Sequence, residues 1–260
     1  MDRFSFSPGF DIYPRYTPMG FVYGENAFGP VPEIRRLDDI RRSLKNPRAQ
    51  GPEELYCIAM DVGDRSWKAE TSKRDLLFGA VIYNAGTIGQ EPVRSQGHIH
   101  GVSLSCGAST CEVYEIWEGT AAVYMQERAE ADPGRCYGVV AHPGEVVVVP
   151  PGWVHATVNM DIHKPMAFGA WCIRDYGFEY DSLRAMQGIA FYPLSKDGIE
   201  WEMNPNYRNA KLLVKAPGSY KALGLRRGIP IYRQFRENPD VFRFVSRPGE
   251  YQHIWESFEP

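Results

Sequence analysis

The central part of the chain alternates between apolar and polar residues, which is the pattern of half-buried β-strands. Strands are predicted, between Gly, Pro, Asn and Asp turns, over residues 55–62, 76–83, 111–118, 120–126, 137–141, 145–149 and 166–173. Short strands at close and regular spacing are typical of a sandwich or a barrel. The pattern therefore predicts an all-β fold.

The two ends of the chain have a different pattern. The first 30 residues are rich in Pro, Gly and aromatic residues and predict irregular arms with one short strand. Leu37, Ile40 and Leu44 recur at helical spacing, with acidic residues before basic ones, which predicts a short surface helix. After residue 191, turns interrupt short segments rich in aromatic residues and Arg. This last part is too apolar to be disordered, yet too broken to be an obvious domain.

Length and composition are those of an ordinary globular chain. Hydrophobic residues make up 43% and charged residues 23% of the 260 residues. A formal net charge of -3 gives no electrostatic case for binding nucleic acid or an anionic membrane. The sequence shows no leader pattern, no long apolar run, and no Cys-x-x-Cys spacing among its five cysteines. We therefore expect a soluble, cytoplasmic protein with reduced thiols that binds neither nucleic acid nor a membrane.

Three histidines and one glutamate fall where strands could bring them together. His98 and His100 are two residues apart and project from the same face of an extended segment. Glu112, on the next strand, can face them. The strand over residues 145–149 ends at a Pro-Pro-Gly turn that directs His155 back towards the interior. Imidazole and carboxylate ligands together suit a borderline divalent metal, namely iron, manganese, nickel, copper or zinc.

A chance grouping is the competing interpretation, because a His-x-His pair is common and a lone histidine is usually a surface or core residue. The chain has only six histidines, however, and three of them fall at these positions. His142, His163 and His253 lie in turn or surface-like contexts and are interpreted as structural. A metal site is therefore the favoured interpretation, with the choice of metal left open.

The same residues carry a resemblance to a known family. The motifs that resemble the metal-binding motifs of the cupin superfamily, and more narrowly the archaeal-type, cupin-fold phosphoglucose isomerases, are Gly97 to His100, Glu112-Val113-Tyr114, Pro143-Gly144 and Val149 to Asn159. The resemblance covers about residues 33–192. It implies a cupin double-stranded β-helix, a jelly-roll barrel, with short peripheral helices. We therefore expect an N-terminal arm over residues 1–32, a barrel over 33–192, and a C-terminal extension over 193–260 that packs on the barrel or covers a subunit contact.

The resemblance also implies a function. Enzymes of this kind are usually homodimers, and they interconvert aldose and ketose sugar phosphates, with glucose 6-phosphate and fructose 6-phosphate as the default pair in glycolysis and gluconeogenesis. One divalent metal per subunit, either iron, manganese, nickel or zinc, would be held by His98, His100, Glu112 and His155. Glu112 would also be the catalytic residue, because a carboxylate beside the reacting carbons can move a proton between them.

Five further residues match family positions that line the sugar-phosphate pocket, and the resemblance implies that they bind substrate: Tyr56, Ser95, Gly97, Tyr114 and Tyr180. Arg94 and Arg174 also lie close to the predicted site in the sequence. We interpret these two arginines as solvated charges at its rim. The expected partner is therefore a small-molecule sugar or sugar phosphate, bound mainly by hydroxyl groups and backbone amides.

Three positions depart from the family pattern. Val81 stands where the family has a phosphate-contacting threonine, Cys172 where it has a pocket tyrosine, and Phe178 where it has a histidine near the substrate. Charge-assisted hydrogen bonds are each worth roughly 1.5 to 3 kcal/mol, so these losses weaken the case for a phosphorylated substrate. Two alternatives therefore stay open, a metal-dependent cupin isomerase or epimerase for another sugar, and a non-catalytic sugar-binding cupin.

Overall fold

Two facing β-sheets form the centre of the chain in a computed structural model, which describes residues 2–260. The strands are β1 (Ile12–Tyr16), β2 (Met19–Tyr23), β3 (Ala27–Phe28), β4 (Glu33–Arg36), β5 (Glu54–Met60), β6 (Gly63–Asp64), β7 (Leu76–Tyr83), β8 (Thr87–Ile88), β9 (Glu91–Pro92), β10 (Ile99–His100), β11 (Glu112–Glu118), β12 (Ala121–Gln126), β13 (Arg135–Ala141), β14 (Val146–Val149), β15 (Val154–Asn159), β16 (Met166–Ile173), β17 (Phe178–Glu179), β18 (Phe191–Lys196), β19 (Gly198–Met203) and β20 (Lys211–Lys215). The helices are α1 (Leu37–Ile40), α2 (Lys68–Lys73), α3 (Asp181–Ala185), α4 (Ile231–Glu237), α5 (Arg243–Ser246) and α6 (Gln252–Trp255). Within residues 2–260, none of these helices combines the length and the apolar character needed to span a membrane.

The two sheets share the strands of the barrel between them. The larger sheet has the order β14-β11-β16-β7-β5-β4, and the smaller has the order β15-β12-β13-β20. The segment before β10 extends the smaller sheet, because Arg94 pairs with Val158 and His98 pairs with His155 of β15. Between β11 and β16 the chain passes repeatedly from one sheet to the other. This is a jelly-roll arrangement, so the all-β cupin fold expected from the sequence is confirmed.

The larger sheet is buried on both faces, which explains its long apolar strands. Phe78 and Ile82 of β7 point into a core outside the barrel, whereas Val81 and Tyr83 point into the barrel interior. Side chains of a strand alternate between its faces, so a strand that is covered on both sides needs apolar residues throughout. All eight residues of β7 are buried. Only the inward-facing set of each strand can therefore line a site inside the barrel.

Both ends of the chain cover the outer face of the larger sheet. The ring of Trp171 on β16 lies 4.7 Å from that of Phe235 in α4 and 5.4 Å from that of Phe242, between centroids. From the N-terminal side, the ring of Phe4 lies 5.2 Å from that of Trp117 on β11. In addition, β20 pairs in parallel with β13 of the smaller sheet. These contacts join both ends to the barrel, and the division into arm, barrel and extension stays a prediction.

The strands predicted in the central part coincide with observed strands to within two residues at each end. The predictions over residues 76–83 and 166–173 have the bounds of β7 and β16. A helix is predicted over residues 37–44, and the observed helix is shorter, because α1 ends at Ile40 and a 3-10 turn follows it. The sequence pattern does not predict β18 to β20 or α4 to α6, because Pro and Gly interrupt the periodicity there.

One buried carboxyl group links the barrel to α4. Glu115 of β11 is fully buried, and it accepts hydrogen bonds from Nε1 of Trp117 at 3.0 Å and from the backbone amide of Ile231 at 2.8 Å. Ile231 is the first residue of α4. Burial raises the pKa of Glu115 from 4.5 to about 8, although the two hydrogen bonds oppose the rise. The folded protein therefore holds a proton on this group at neutral pH.

Because the folded state binds this proton more tightly than the unfolded state, the contribution of Glu115 to the free energy of unfolding should decrease as the pH rises from 4.5 to 8. A Glu115→Gln variant cannot ionise at this position and should lose much of that decrease. A Glu118→Gln variant on the same strand should keep the wild-type dependence. Urea unfolding at several pH values measures the effect, and equal pH dependence in wild type and Glu115→Gln would contradict the assignment.

Candidate metal centre and adjoining cavity

Backbone pairing brings the four predicted metal ligands to one place. His98 and His155 exchange two backbone hydrogen bonds of 3.0 Å each, which set the segment before β10 against β15. His100 ends β10, where it pairs with Phe178 of β17. Glu112 is the first residue of β11. The ligands therefore converge because distant strands pair, although only the two nearest histidines are close in the sequence.

The side chains form a compact cluster. One ligand atom from each of His98, His100, Glu112 and His155 lies within 4.8 Å of all the others. Nε2 of His155 lies 3.1 Å from Oε2 of Glu112, and Nε2 of His100 lies 3.3 Å from the same oxygen. The Nε2 atoms of His98 and His100 are buried and lack a hydrogen-bond partner within the described chain. Buried nitrogen atoms without partners are costly, so a shared metal ion would satisfy both.

Backbone carbonyl groups orient two of the imidazole rings. Nδ1 of His100 lies 3.0 Å from the carbonyl oxygen of Thr110, and Nδ1 of His155 lies 3.1 Å from that of Trp153. A proton on Nδ1 can be donated to the carbonyl oxygen, and the lone pair of Nε2 then points into the cluster. These contacts favour the tautomer that a metal-ligating histidine needs.

The electrostatics of the cluster suit a cation. Burial lowers the pKa of His98 well below its usual value, and the imidazoles of His155 and His100 lower it further. Burial alone would raise the pKa of Glu112, but the adjacent imidazoles of His100 and His155 outweigh it and hold this pKa well below its usual value. A neutral imidazole and a carboxylate are the forms that bind metals. The cluster could therefore hold a metal ion, and iron, manganese, nickel and zinc all suit its ligands.

A cavity opens beside the cluster. His98, Glu112 and His155 form part of its lining. The five residues predicted to bind substrate all line the same cavity: Tyr56, Ser95, Gly97, Tyr114 and Tyr180. The structure therefore brings together the predicted metal ligands and the predicted substrate-binding residues. His100 belongs to the cluster but does not line the cavity. The roles of these residues stay predictions.

Two of the five residues have polar groups close to the cluster. The hydroxyl of Tyr114 donates a hydrogen bond of 2.7 Å to Oε2 of Glu112. Oγ of Ser95 accepts a hydrogen bond of 3.0 Å from the backbone amide of Thr157. The Ser95 hydroxyl can still donate, because a hydroxyl group is both donor and acceptor. This end of the cavity is therefore polar.

Gly97 is at a position where no other residue fits without rearrangement. Its φ is +89°, and an added Cβ would lie 2.7 Å from Cδ2 of Leu183. The left-handed backbone is readily adopted by glycine, and the absent side chain leaves room for close approach. Tyr180, near the same wall, lies under the guanidinium of Arg184 at 5.0 Å from its ring centroid.

Part of the cavity lining is apolar. The three positions that depart from the family pattern, Val81, Cys172 and Phe178, all line it. The ring of Phe178 lies 4.4 Å from that of His98, so it also covers the cluster. Ile58 and Met60 continue this wall. An anionic group would find no strong hydrogen-bond donor among these five side chains.

The surroundings of three arginines differ from those that the sequence interpretation gave them. Arg94 is fully buried rather than solvated, and its Nε donates to Oε2 of Glu91 at 2.6 Å. Arg174 pairs with Asp61 at 2.8 Å, and neither Arg94 nor Arg174 lines the cavity. Arg35 does line it, yet the sequence interpretation did not select it. The strand pairing of Arg35 with Tyr56, a predicted site residue, is the signal that identifies it.

The chain is similar in sequence to known proteins over the part that contains the cluster. The family model for glucose-6-phosphate isomerase (GPI) matches residues 53–210. A glucose-6-phosphate isomerase from Pyrococcus horikoshii is 28% identical over 186 residues, which are 68% of this chain and 88% of that protein. One from Thermococcus onnurineus is 31% identical over 159 residues, which are 58% of this chain and 74% of that protein. Among solved structures, an oxalate oxidase aligns with 47% of this chain and 53% of its own, at 16% identity and a TM-score of 0.35.

The chain belongs to the glucose-6-phosphate isomerase family, because the family model matches more than half of its residues. The resemblance drawn from the motifs is thereby confirmed, and so is the expected enzyme class, an aldose-ketose isomerase. The matched residues include the metal-ligand cluster and all five predicted substrate contacts. They do not include Arg35.

We expect the cluster to bind one divalent ion per chain. A His100→Ala variant should weaken binding by more than about 100-fold, since even the loss of a contact that only orients a ligand costs 10- to 100-fold. Calorimetric titration of chelator-treated protein with manganese or zinc measures affinity and stoichiometry, and a rise in melting temperature reports the same binding. His163→Ala, at an exposed histidine, is the matched control. Equal affinity in His100→Ala and wild type would contradict the assignment.

Proposed function

We propose that this member of the family is a metal-dependent sugar-phosphate isomerase that interconverts glucose 6-phosphate and fructose 6-phosphate. One observation carries the proposal: a buried cluster of three histidines and one glutamate adjoins a cavity lined by the five predicted substrate-binding residues. His98, His100, Glu112 and His155 would hold one divalent ion, either iron, manganese, nickel or zinc. When bound, the ion would act as a Lewis acid towards adjacent carbonyl and hydroxyl oxygens of the open-chain sugar.

Glu112 is the residue that we assign to proton transfer. From the aldose, its carboxylate takes the proton at C2, and the C–H electron pair forms the C1–C2 double bond of an enediol while O1 gains a proton. The carboxyl group then returns its proton to C1 as O2 becomes the ketose carbonyl and releases a proton to water, which replaces the proton that water gave to O1. Tyr114, which donates to Oε2 of Glu112, would hold the carboxylate in place. A direct hydride shift from C2 to C1 is the competing route.

The rest of the sugar would lie along the cavity. Ser95 and Tyr114 supply hydroxyl groups close to the cluster, and Gly97 allows the chain to approach closely. Tyr56 and Tyr180 would contact the part of the substrate that is distant from the reacting carbons. A homodimer and a cytoplasmic location, expected from the resemblance and from the composition, stay predictions.

A second candidate function follows from the apolar wall. Val81, Cys172 and Phe178 supply no strong donor where the family has polar groups. The same metal chemistry could therefore act on another sugar, by isomerisation or epimerisation. Comparison of kcat/KM for phosphorylated and unphosphorylated sugars decides between the two candidates.

Fructose 6-phosphate should be converted only by metal-loaded protein, and Glu112→Gln should lower kcat by at least about 100-fold, because proton transfer by a positioned group contributes roughly 10²- to 10⁴-fold. Glu118→Gln, on the same strand, should leave kcat unchanged. A coupled assay after loading with each metal measures the rates. Turnover in D₂O should place deuterium on the product if a proton is exchanged, whereas a hydride shift leaves it out. Undiminished turnover in Glu112→Gln would contradict the assigned role.

A hydroxyl group added to the apolar wall should improve phosphate binding. Val81→Thr places a donor at a cavity-lining position, and we expect the KM for fructose 6-phosphate to fall by about 2- to 10-fold, in line with a net hydrogen-bond contribution of roughly 0.5 to 1.5 kcal/mol. Val81→Ala removes both methyl groups of the side chain without adding a donor and is the control. A KM in Val81→Thr that is no lower than in Val81→Ala would show that the phosphate lies elsewhere.

A further inference from the structure

We propose that Arg35 binds the phosphate group of the substrate and so determines the preference for a phosphorylated sugar. The inference rests on the proposed function, because it assigns one end of the substrate whose reacting carbons lie at the metal cluster. Arg35 is the only lysine or arginine among the cavity-lining residues in the described part of the chain. It lies outside the region matched by the family model.

The strand pairing directs Arg35 into the cavity. Arg35 of β4 pairs with Tyr56 of β5, and the register then shifts, so that Arg36 pairs with Glu54. Both Tyr56 and Arg35 line the cavity, whereas the side chain of Arg36 is half exposed and forms ion pairs with Glu53 and Glu54 outside it. Two neighbouring arginines therefore have different surroundings, and only one of them faces the proposed substrate.

The guanidinium of Arg35 is free to take an anionic ligand. Its one ion pair joins Nη1 to Oε1 of Glu33 at 2.6 Å, and the Glu33 side chain is 62% exposed. Exposed ion pairs contribute little, typically about 0 to 1 kcal/mol, so this contact does not saturate the group. A guanidinium has five N–H donors in a planar fork that matches a phosphate. The remaining donors can therefore bind two oxygen atoms at once.

Within the described residues, no other side chain of the cavity lining is a lysine or an arginine that could bind the phosphate by charge. Val81, Cys172 and Phe178 form an apolar wall, and the hydroxyl of Tyr114 is already bonded to Glu112. Burial raises the pKa of both Tyr56 and Tyr180, while the positive charge of Arg35 opposes the rise at each. Arg35 pairs with Tyr56 and lines the same cavity as Tyr180, and these are the two tyrosines that we assigned to the distant end of the sugar.

The test compares Arg35→Met, Arg35→Lys and the control Arg36→Met. Binding of glucitol 6-phosphate, which cannot isomerise, is measured by calorimetry on metal-loaded protein, and steady-state rates are measured with fructose 6-phosphate. We expect Arg35→Met to weaken glucitol 6-phosphate binding by about 10- to 100-fold and to raise KM similarly, with kcat changed less than about 3-fold. Arg35→Lys should be intermediate because it keeps the charge but loses the fork. Arg36→Met should behave as wild type, and each variant should still bind one metal ion.

The two readouts separate this inference from the proposed function. Glucitol 6-phosphate binding that depends on Arg35, in a protein without isomerase turnover, would support the phosphate site and contradict the proposed reaction. Turnover with a KM that is unchanged in Arg35→Met would support the reaction and overturn the phosphate site. Absence of glucitol 6-phosphate binding by wild type would also overturn the phosphate site. So would a loss of affinity in Arg35→Met that is seen only for gluconate, which has a carboxylate and no phosphate.

Discussion

The backbone pairing of His98 with His155 is the contact on which the candidate site depends. Two hydrogen bonds of 3.0 Å set the two histidines opposite each other, and one residue of chain beyond His98 then carries His100 to the same cluster. Glu112 arrives independently at the start of β11. A shift of this pairing by one residue would turn the histidine side chains to the other face of the sheet, because side chains alternate along a strand.

Without a bound ion, the cluster lowers the free energy of unfolding. Two buried imidazole nitrogen atoms lack partners, and Phe178 covers the ring of His98 on the side of the cavity. The structure offsets this cost by packing elsewhere, since the larger sheet is buried on both faces and its outer face carries a layer of aromatic rings around Trp171. The outer layer made by the ends of the chain therefore stabilises a barrel whose interior is kept polar and open at one place.

The sequence was sufficient to predict the cluster because each of its ligands lies in a short motif that can be recognised without the tertiary structure. A His-x-His pair, a carboxylate on the following strand and a histidine after a Pro-Pro-Gly turn need only strand alternation and turn chemistry to be recognised. Arg94 and Arg35 required the tertiary structure. Arg94 is buried because Glu91 and backbone carbonyl groups surround it, and Arg35 faces the cavity because β4 pairs with β5 in one register.

The C-terminal strands and helices also could not be predicted from the sequence alone. Their segments are short, and Pro and Gly hide the periodicity on which sequence interpretation relies. They form because β13 and the outer face of the larger sheet offer partners, as in the parallel pairing of β20 and the contact of Phe235 with Trp171. Tertiary packing, rather than local preference, decides structure in this part of the chain.

The central claim is that three histidines and one glutamate hold a single divalent ion beside the cavity. Anomalous diffraction from crystals of manganese- or zinc-loaded protein, recorded on both sides of the absorption edge of the metal, tests it directly. The claim predicts one anomalous peak per chain, about 2.0 to 2.2 Å from the ligand atoms of His98, His100, Glu112 and His155. A protein with intact strands and no peak there, or a peak held by other residues, would contradict it.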